Sequence, residues 1–375
     1  MSDKRVGIVT INDDTNYGNR LQNYALQEAV RALGWEPETV RNRTPSWDPS
    51  LLVPRMMHEL QTNLGDLVRR GTRNLGRRVG VQPPPPARFG GRRRAAIEAF
   101  TRAHLNVSEY PFSDAPVDYW ATRYSRAITG SDQVWNPVYR RAQGLDFLDF
   151  VDASQRTSYA ASFGVHEVPR FLRSRYANWL SGIEHLSVRE DDAARIVADL
   201  TGRAVPVVVD PTMLVGRETW DRLIEREPPI ADRGYALRFF LGHPTAAQAA
   251  LADHDVRARD LLVADLNDLE HEDHSDVGPA GFVAAIARAD LVVTDSFHAS
   301  VFALMYRRPL LLRARFARDG RVATLLSLHG LTADPTDVDG LVRVSDVDWT
   351  AAEAISRTHR LASGAFLAAA LAAEQ

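Results

Sequence analysis

From its N-terminus the chain alternates short apolar runs with longer amphipathic ones. "RVGIVTI" (5–11) is β-branched and followed by polar turn residues, the mark of a buried strand. "NRLQNYALQEAVRALG" (19–34) then spaces Leu21, Tyr24, Ala25, Val30 and Leu33 at helical intervals and stops at Gly34, a favoured residue at a helix end. Further strand-like runs lie at 126–129, 156–162, 185–189, 206–210, 235–241, 260–266, 290–295 and 309–314. Several lead into helical patterns such as "EDDAARIVADL" and "GFVAAIARA". This alternation predicts an α/β protein with parallel sheets covered by helices on both faces. The rhythm weakens across 165–185, which divides the chain into 1–180 and 181–375. The Ala-rich end, "AFLAAALAAEQ", predicts a last helix that packs back across the domains or against a second subunit.

Between about 41 and 94 the pattern lapses into arginines, four consecutive prolines and paired glycines. Such a stretch is an exposed insertion, or a basic flap against an anionic acceptor. "AAIEAFTRAHL" (95–105) resumes a helix.

Composition narrows the class. A length of 375 residues exceeds what one core usually accommodates. A net charge of -3 argues against a protein that coats nucleic acid or anionic membrane. Cysteine is absent, which excludes disulfides, thiolate metal sites and a cysteine nucleophile. The quickly polar start and the lack of a membrane-length apolar run suggest a soluble, cytoplasmic protein. Oligomeric state stays open.

In open parallel sheets, ligands bind beyond the carboxyl ends of strands. Four turns carry suitable chemistry there. Asn16, Tyr17, Gly18 and Asn19 follow the first strand, and Gly18 permits close backbone approach, although a capped turn explains the same residues. "GSDQVWNP" (130–137) offers Asp132 as base or hydrogen-bond acceptor, with Ser131, Gln133 and Asn136 for sugar-like groups. Trp135 is a stacking platform or a core residue. In "SVREDDAARIV", Arg189 presents a fork for carboxylate or phosphate, or pairs with its acidic neighbours. In "DLVVTDSFHASVFALMYRRP", Asp295 or Ser296 caps a helix whose first turn holds Phe297, His298 and Ala299, with free amides that attract anions. "LEHEDHSD" (269–276) has ligand chemistry but reads as a solvated loop, so no metal site is assigned.

Together with "NYGNRLQNYALQ" (16–27), "SYAASFG" (158–164) and "VVDPTML" (208–214), these stretches resemble the polysaccharide pyruvyl transferase family. The order matches over nearly the whole chain; "GSDQVWNP" and "TDSFH" are the specific ones, and "FARDGRVATLLSLHGL" (316–331) is similar to the family's late basic stretch. The resemblance implies two Rossmann-like domains facing a cleft in a GT-B-like arrangement, the first on the acceptor side and the second on the phosphoenolpyruvate side. It implies transfer of a pyruvyl group from phosphoenolpyruvate to two sugar hydroxyls, giving a cyclic ketal and phosphate, without metal or cofactor. Carried over, Arg189 holds the donor, His298 is the proton carrier of the donor site, and Asp132 is the aspartate of the N-terminal half. Sequence does not decide which of His298 and Asp132 is the acid. Ala299 stands where the family pattern has glycine, and the 41–94 insertion also departs from it. A GT-B-like glycosyltransferase using a nucleotide sugar and a non-catalytic sugar- or anion-binding member are the alternatives.

Overall fold

Strand β1 (Arg5–Val9) forms where the first apolar run predicts it. It sits inside a six-stranded parallel sheet with β2 (Glu36–Arg41), β3 (Val107–Pro111), β4 (Arg126–Asp132), β5 (Arg156–Ala161) and β6 (His185–Val188), in the order β3-β2-β1-β4-β5-β6. The computed structural model describes residues 4–12, 15–43, 46–62, 91–267, 276–313, 320–332, 334–335 and 340–372. The strand order reverses direction between β1 and β4, so the turns after these two strands open a crevice.

Strand β2 escapes the apolar pattern because its sequence is "EPETVR". Its central residues are buried nonetheless, and the charge of Glu38 is met by Arg123 Nε at 2.6 Å and by the Tyr124 hydroxyl at 2.6 Å. Tertiary partners there override a poor strand composition.

The second sheet comprises β7 (Tyr235–Phe239), β8 (Leu262–Asp265), β9 (Leu291–Thr294), β10 (Leu310–Arg313), β11 (Asp334–Pro335) and β12 (Leu341–Val344), in the order β11-β12-β10-β9-β7-β8. Strands β7 to β10 are parallel, whereas β12 runs antiparallel to β10 and β11 antiparallel to β12. The expectation of purely parallel sheets is therefore corrected at one edge. The fold is α/β, with two Rossmann-like halves facing a cleft.

The division at residue 180 falls too early for the sheets. Strand β6 pairs with β5, and Val188 bridges in parallel to Val207, so the first sheet extends through the "PVVVD" run.

Two helices help to tie the halves together. The helix Tyr17–Ala32 starts at the crevice, and its Tyr17 stacks on Phe282 at 4.7 Å and donates its hydroxyl to the Val277 carbonyl at 2.9 Å. The final helix, Trp349–Ala372, returns to the first sheet, where Leu367 and Leu371 pack with Val6, Ile8, Leu26, Val30 and Ile128.

Of the 41–94 segment, residues 63–90 lie outside the described part. Residues Leu52–Thr62 form a helix. The next helix starts at Gly91, and its Arg93 is buried, donating to the Leu266 carbonyl and, at 2.7 Å, to Asn267 Oδ1. This arginine anchors the segment to the second half instead of presenting charge to solvent.

Candidate active site

The crevice is assembled from strand ends. After β1, Asn16 caps the Tyr17–Ala32 helix by accepting from the Gly18 amide at 2.9 Å. This places Gly18 and Asn19 at the cleft. After β4, the Ser131 amide donates to Gln22 Oε1 at 3.2 Å and Thr10 Oγ1 donates to the Ser131 carbonyl at 3.1 Å. Gly130 has φ 116°, and a Cβ there would lie 2.2 Å from the Tyr159 carbonyl oxygen. Only glycine fits so close to the neighbouring strand.

Asp132 and Arg189, 57 positions apart, meet here: Arg189 Nη2 donates to Asp132 Oδ1 at 3.2 Å. Asn19 Nδ2 donates to Asp132 Oδ2, and the Gln133 amide donates to Oδ1 at 2.9 Å. Arg189 Nη1 donates to a residue the sequence reading did not single out, Asp210, at 3.0 Å. Asp210 Oδ2 also accepts from Ser131 Oγ at 2.8 Å, while Oδ1 accepts from the Thr212 amide and hydroxyl. A third carboxylate, Glu190, brings Oε2 within 3.7 Å of Arg189 Nε. Burial opposes the guanidinium charge, but the carboxylates of Asp132, Asp210 and Glu190 outweigh it and raise the pKa of Arg189. Burial also works against the Asp210 carboxylate, yet His298, Arg189 and the Thr212 hydrogen bonds hold its pKa below the ordinary value.

The second sheet supplies the opposite wall. Ser296, not Asp295, caps the Phe297–Met305 helix by accepting from the Ala299 amide at 3.4 Å. Asp295 instead accepts from the Leu241 and Gly242 amides and from Arg313. Phe297 lies under the guanidinium of Arg189, 4.4 Å from ring centre to Cζ, a favourable cation–π distance. His298 Nε2 points across at Asp210 Oδ2, 3.8 Å away, and makes no hydrogen bond. Burial lowers the pKa of this imidazole, against the opposing pull of Asp210 and Asp132. Gly18 completes the contact: a Cβ there would stand 2.1 Å from His298 Nδ1. The bare backbone of one helix start is thus pressed against the imidazole of the other.

The structure therefore joins Gly18, Asn19, Ser131, Asp132, Arg189, Phe297 and His298 in one place, and adds Asp210. Other expected site residues do different work. Trp135 is fully buried, stacked on Phe147 at 5.5 Å and 3°, with Nε1 donating to the Asp146 carbonyl. It is core, because its ring points into the helix-packed face of the sheet. Tyr17 is likewise buried in the seam between the halves. Asn136 is spent on the Val138 and Tyr139 amides and on Gln133 Oε1. Ala299 is fully buried in the second core, so its methyl faces packing atoms. Asp210 left a usable signal, since it ends the "PVVVD" run, as an acid beyond a strand should.

No group of three or more acidic, His or Cys side chains among the described residues is placed to hold a metal. Most of "LEHEDHSD" lies outside them.

A profile described as polysaccharide pyruvyl transferase matches residues 16–314. The chain belongs to that family. Its general activity is that of a pyruvyl transferase. Every residue of the charged cluster lies inside the family span. No curated protein matches the chain. Among solved structures, a Listeria monocytogenes protein described as UDP-N-acetylglucosamine 2-epimerase is similar at TM-score 0.44 and 10% identity, over 98% of this chain and 91% of that one. The Neisseria meningitidis UDP-GlcNAc 2-epimerase bound to UDP-GlcNAc gives TM-score 0.41 and 10% identity, over 85% and 84%.

Proposed function

We propose that the protein moves the pyruvyl group of phosphoenolpyruvate onto two hydroxyls of a saccharide, forming a cyclic ketal and releasing phosphate. The observation that carries this reading is the buried, unpartnered Nε2 of His298 facing the Asp132–Arg189–Asp210 cluster across the cleft. Protonating the methylene end of an enol phosphate makes its central carbon electrophilic, so the reaction needs a proton carrier beside a site for anions.

In this reading the second half holds the donor. Its carboxylate and phosphate meet the first-turn amides of the Phe297–Met305 helix, where the helix dipole favours negative charge. They also meet the N–H groups of Arg189 that Asp132 and Asp210 leave uncommitted. The donor's negative charge favours the imidazolium form of His298, which then delivers a proton to the methylene carbon. The first half holds the acceptor. Protons balance without an outside acid: one hydroxyl proton ends on the new methyl group and the other leaves with phosphate. Asp132 fits a positioning role, because both of its oxygens are already hydrogen-bonded.

A thermal melt tests the assignment. A ligand present at about 100 times its Kd and binding only the native state stabilises it by about 2.7 kcal/mol. Phosphoenolpyruvate raises Tm and a nucleotide sugar does not; the reverse result sinks the proposal.

A further inference from the structure

A cavity of about 290 Å3 opens beside the charged cluster. Its floor is the 164–166 turn after β5, one side is Glu190 and Asp192 after β6, and the other is Gly320 and Arg321 from the second half. The volume is just below the roughly 300–1,000 Å3 typical of small-molecule sites, a size for one sugar ring. Its lining is mainly apolar with a few polar side chains, Glu190, Asp192, Arg321 and His166, whose Nδ1 is hydrogen-bonded to Asp192 at 2.8 Å, as a sugar with its apolar face and its hydroxyls requires.

Three carboxylates surround Arg189, and they differ in one respect. Both oxygens of Asp132 and of Asp210 have hydrogen-bond partners. Glu190 Oε1 accepts from Ser162 Oγ at 2.8 Å and from the Phe163 amide at 3.3 Å, but its buried Oε2 has only the charge of Arg189 Nε 3.7 Å away and no hydrogen-bond partner. Glu190 is only 2% exposed, yet it lines the cavity. A buried acceptor left unsatisfied is costly and calls for a ligand.

We infer that this cavity is the acceptor subsite and that Glu190 is the carboxylate that binds an acceptor hydroxyl and takes its proton. The inference rests on the pyruvyl-transfer reading and deepens it. As the O–H bond breaks, its proton goes to Glu190 Oε2 and its electron pair forms a C–O bond to the central carbon of the enol donor. His298 protonates the methylene end in the same addition. The second hydroxyl then displaces phosphate, giving its proton to His298, while Glu190 returns its own to the departing phosphate. Both side chains end as they began. Burial raises the pKa of Glu190 against the pull of Arg189 and Arg321, which matches a group that must accept a proton and release it again.

The test uses the full chain, phosphoenolpyruvate and a panel of methyl glycosides of glucose, galactose, mannose and N-acetylglucosamine. Glu190→Gln keeps the phosphoenolpyruvate melting shift, which also reports that it folds, and loses at least 100-fold in phosphate release with the best glycoside. Val165→Trp, which fills the cavity from its floor, raises the KM for that glycoside and leaves the KM for phosphoenolpyruvate unchanged. Release by Glu190→Gln within threefold of the unmodified protein overturns the role of Glu190. An unchanged glycoside KM in Val165→Trp overturns the subsite. A phosphoenolpyruvate shift without release from any glycoside overturns the assignment of the cavity to such sugars, whereas no shift at all overturns the transferase reading itself.

Discussion

The two walls of the cleft are built on different principles. The first-sheet wall is a dense charge network: Asp132, Arg189, Asp210, Ser131 and Asn19 hydrogen-bond to one another, while Arg189 Nε and the neighbouring Glu190 Oε2 are left without hydrogen bonds. The second-sheet wall contributes a single imidazole whose inward nitrogen is unpartnered. One wall is held in place by charge pairing around Arg189, and the other brings an imidazole with no hydrogen bond at its inward nitrogen. A site that must both position reactants and move a proton needs this asymmetry, because a fully paired group has no free valence for chemistry.

The contrast is broken most severely at the imidazole. His298→Asn lowers turnover by about 10²–10⁴-fold, the usual worth of a general acid or base, and leaves the phosphoenolpyruvate melting shift in place. Equal turnover in the variant, read by phosphate release, would remove the imidazole from the chemistry. On the other wall the loss is in stability. Arg189→Met strands buried Asp132 and Asp210 and costs about 3–5 kcal/mol in urea unfolding, and it abolishes the phosphoenolpyruvate shift. Combining it with Asp210→Asn restores part of the stability and none of the shift; full additivity of the two changes would contradict a shared network.

A smaller effect sits at the contact between the walls. Gly18→Ala drives a methyl group into His298 Nδ1 and displaces the ring, so turnover falls about 10²-fold, as for a misplaced catalytic group. Donor binding is retained, and unchanged turnover would show that the two helix starts are looser than the structure has them. The mildest test is pH. The folded-state pKa of His298 lies below its ordinary 6.5, so the unfolded chain binds the extra proton first. The stabilisation is fully present above 6.5 and is lost as pH falls through the folded-state value. Tm of the free protein therefore drops on acidification, and His298→Asn flattens that part of the profile.

"GSDQVWNP" shows how far a linear reading reaches. Its Gly130, Ser131 and Asp132 end a strand at the crevice, and the position of acids and small residues after an apolar run gave them away. Trp135 lies only three residues on, yet it turns into the aromatic core with Phe147 and Phe163. Nothing in local sequence separates a stacking platform from a core tryptophan, because the difference is what packs against the ring. Strand β2 and the antiparallel edge at β12 were equally illegible, since their stability comes from neighbours and not from their own pattern.

By itself the sequence determined the α/β alternation, the turns that bear chemistry, and the family to which those turns belong. These are properties of local periodicity and of short motifs whose meaning travels along the chain. Only the tertiary structure decided which charges meet. It joined Asp210 to Arg189, pressed Gly18 against His298 and left Glu190 Oε2 without a hydrogen-bond partner beside a cavity, because hydrogen-bond satisfaction depends on distances that the order of residues does not encode.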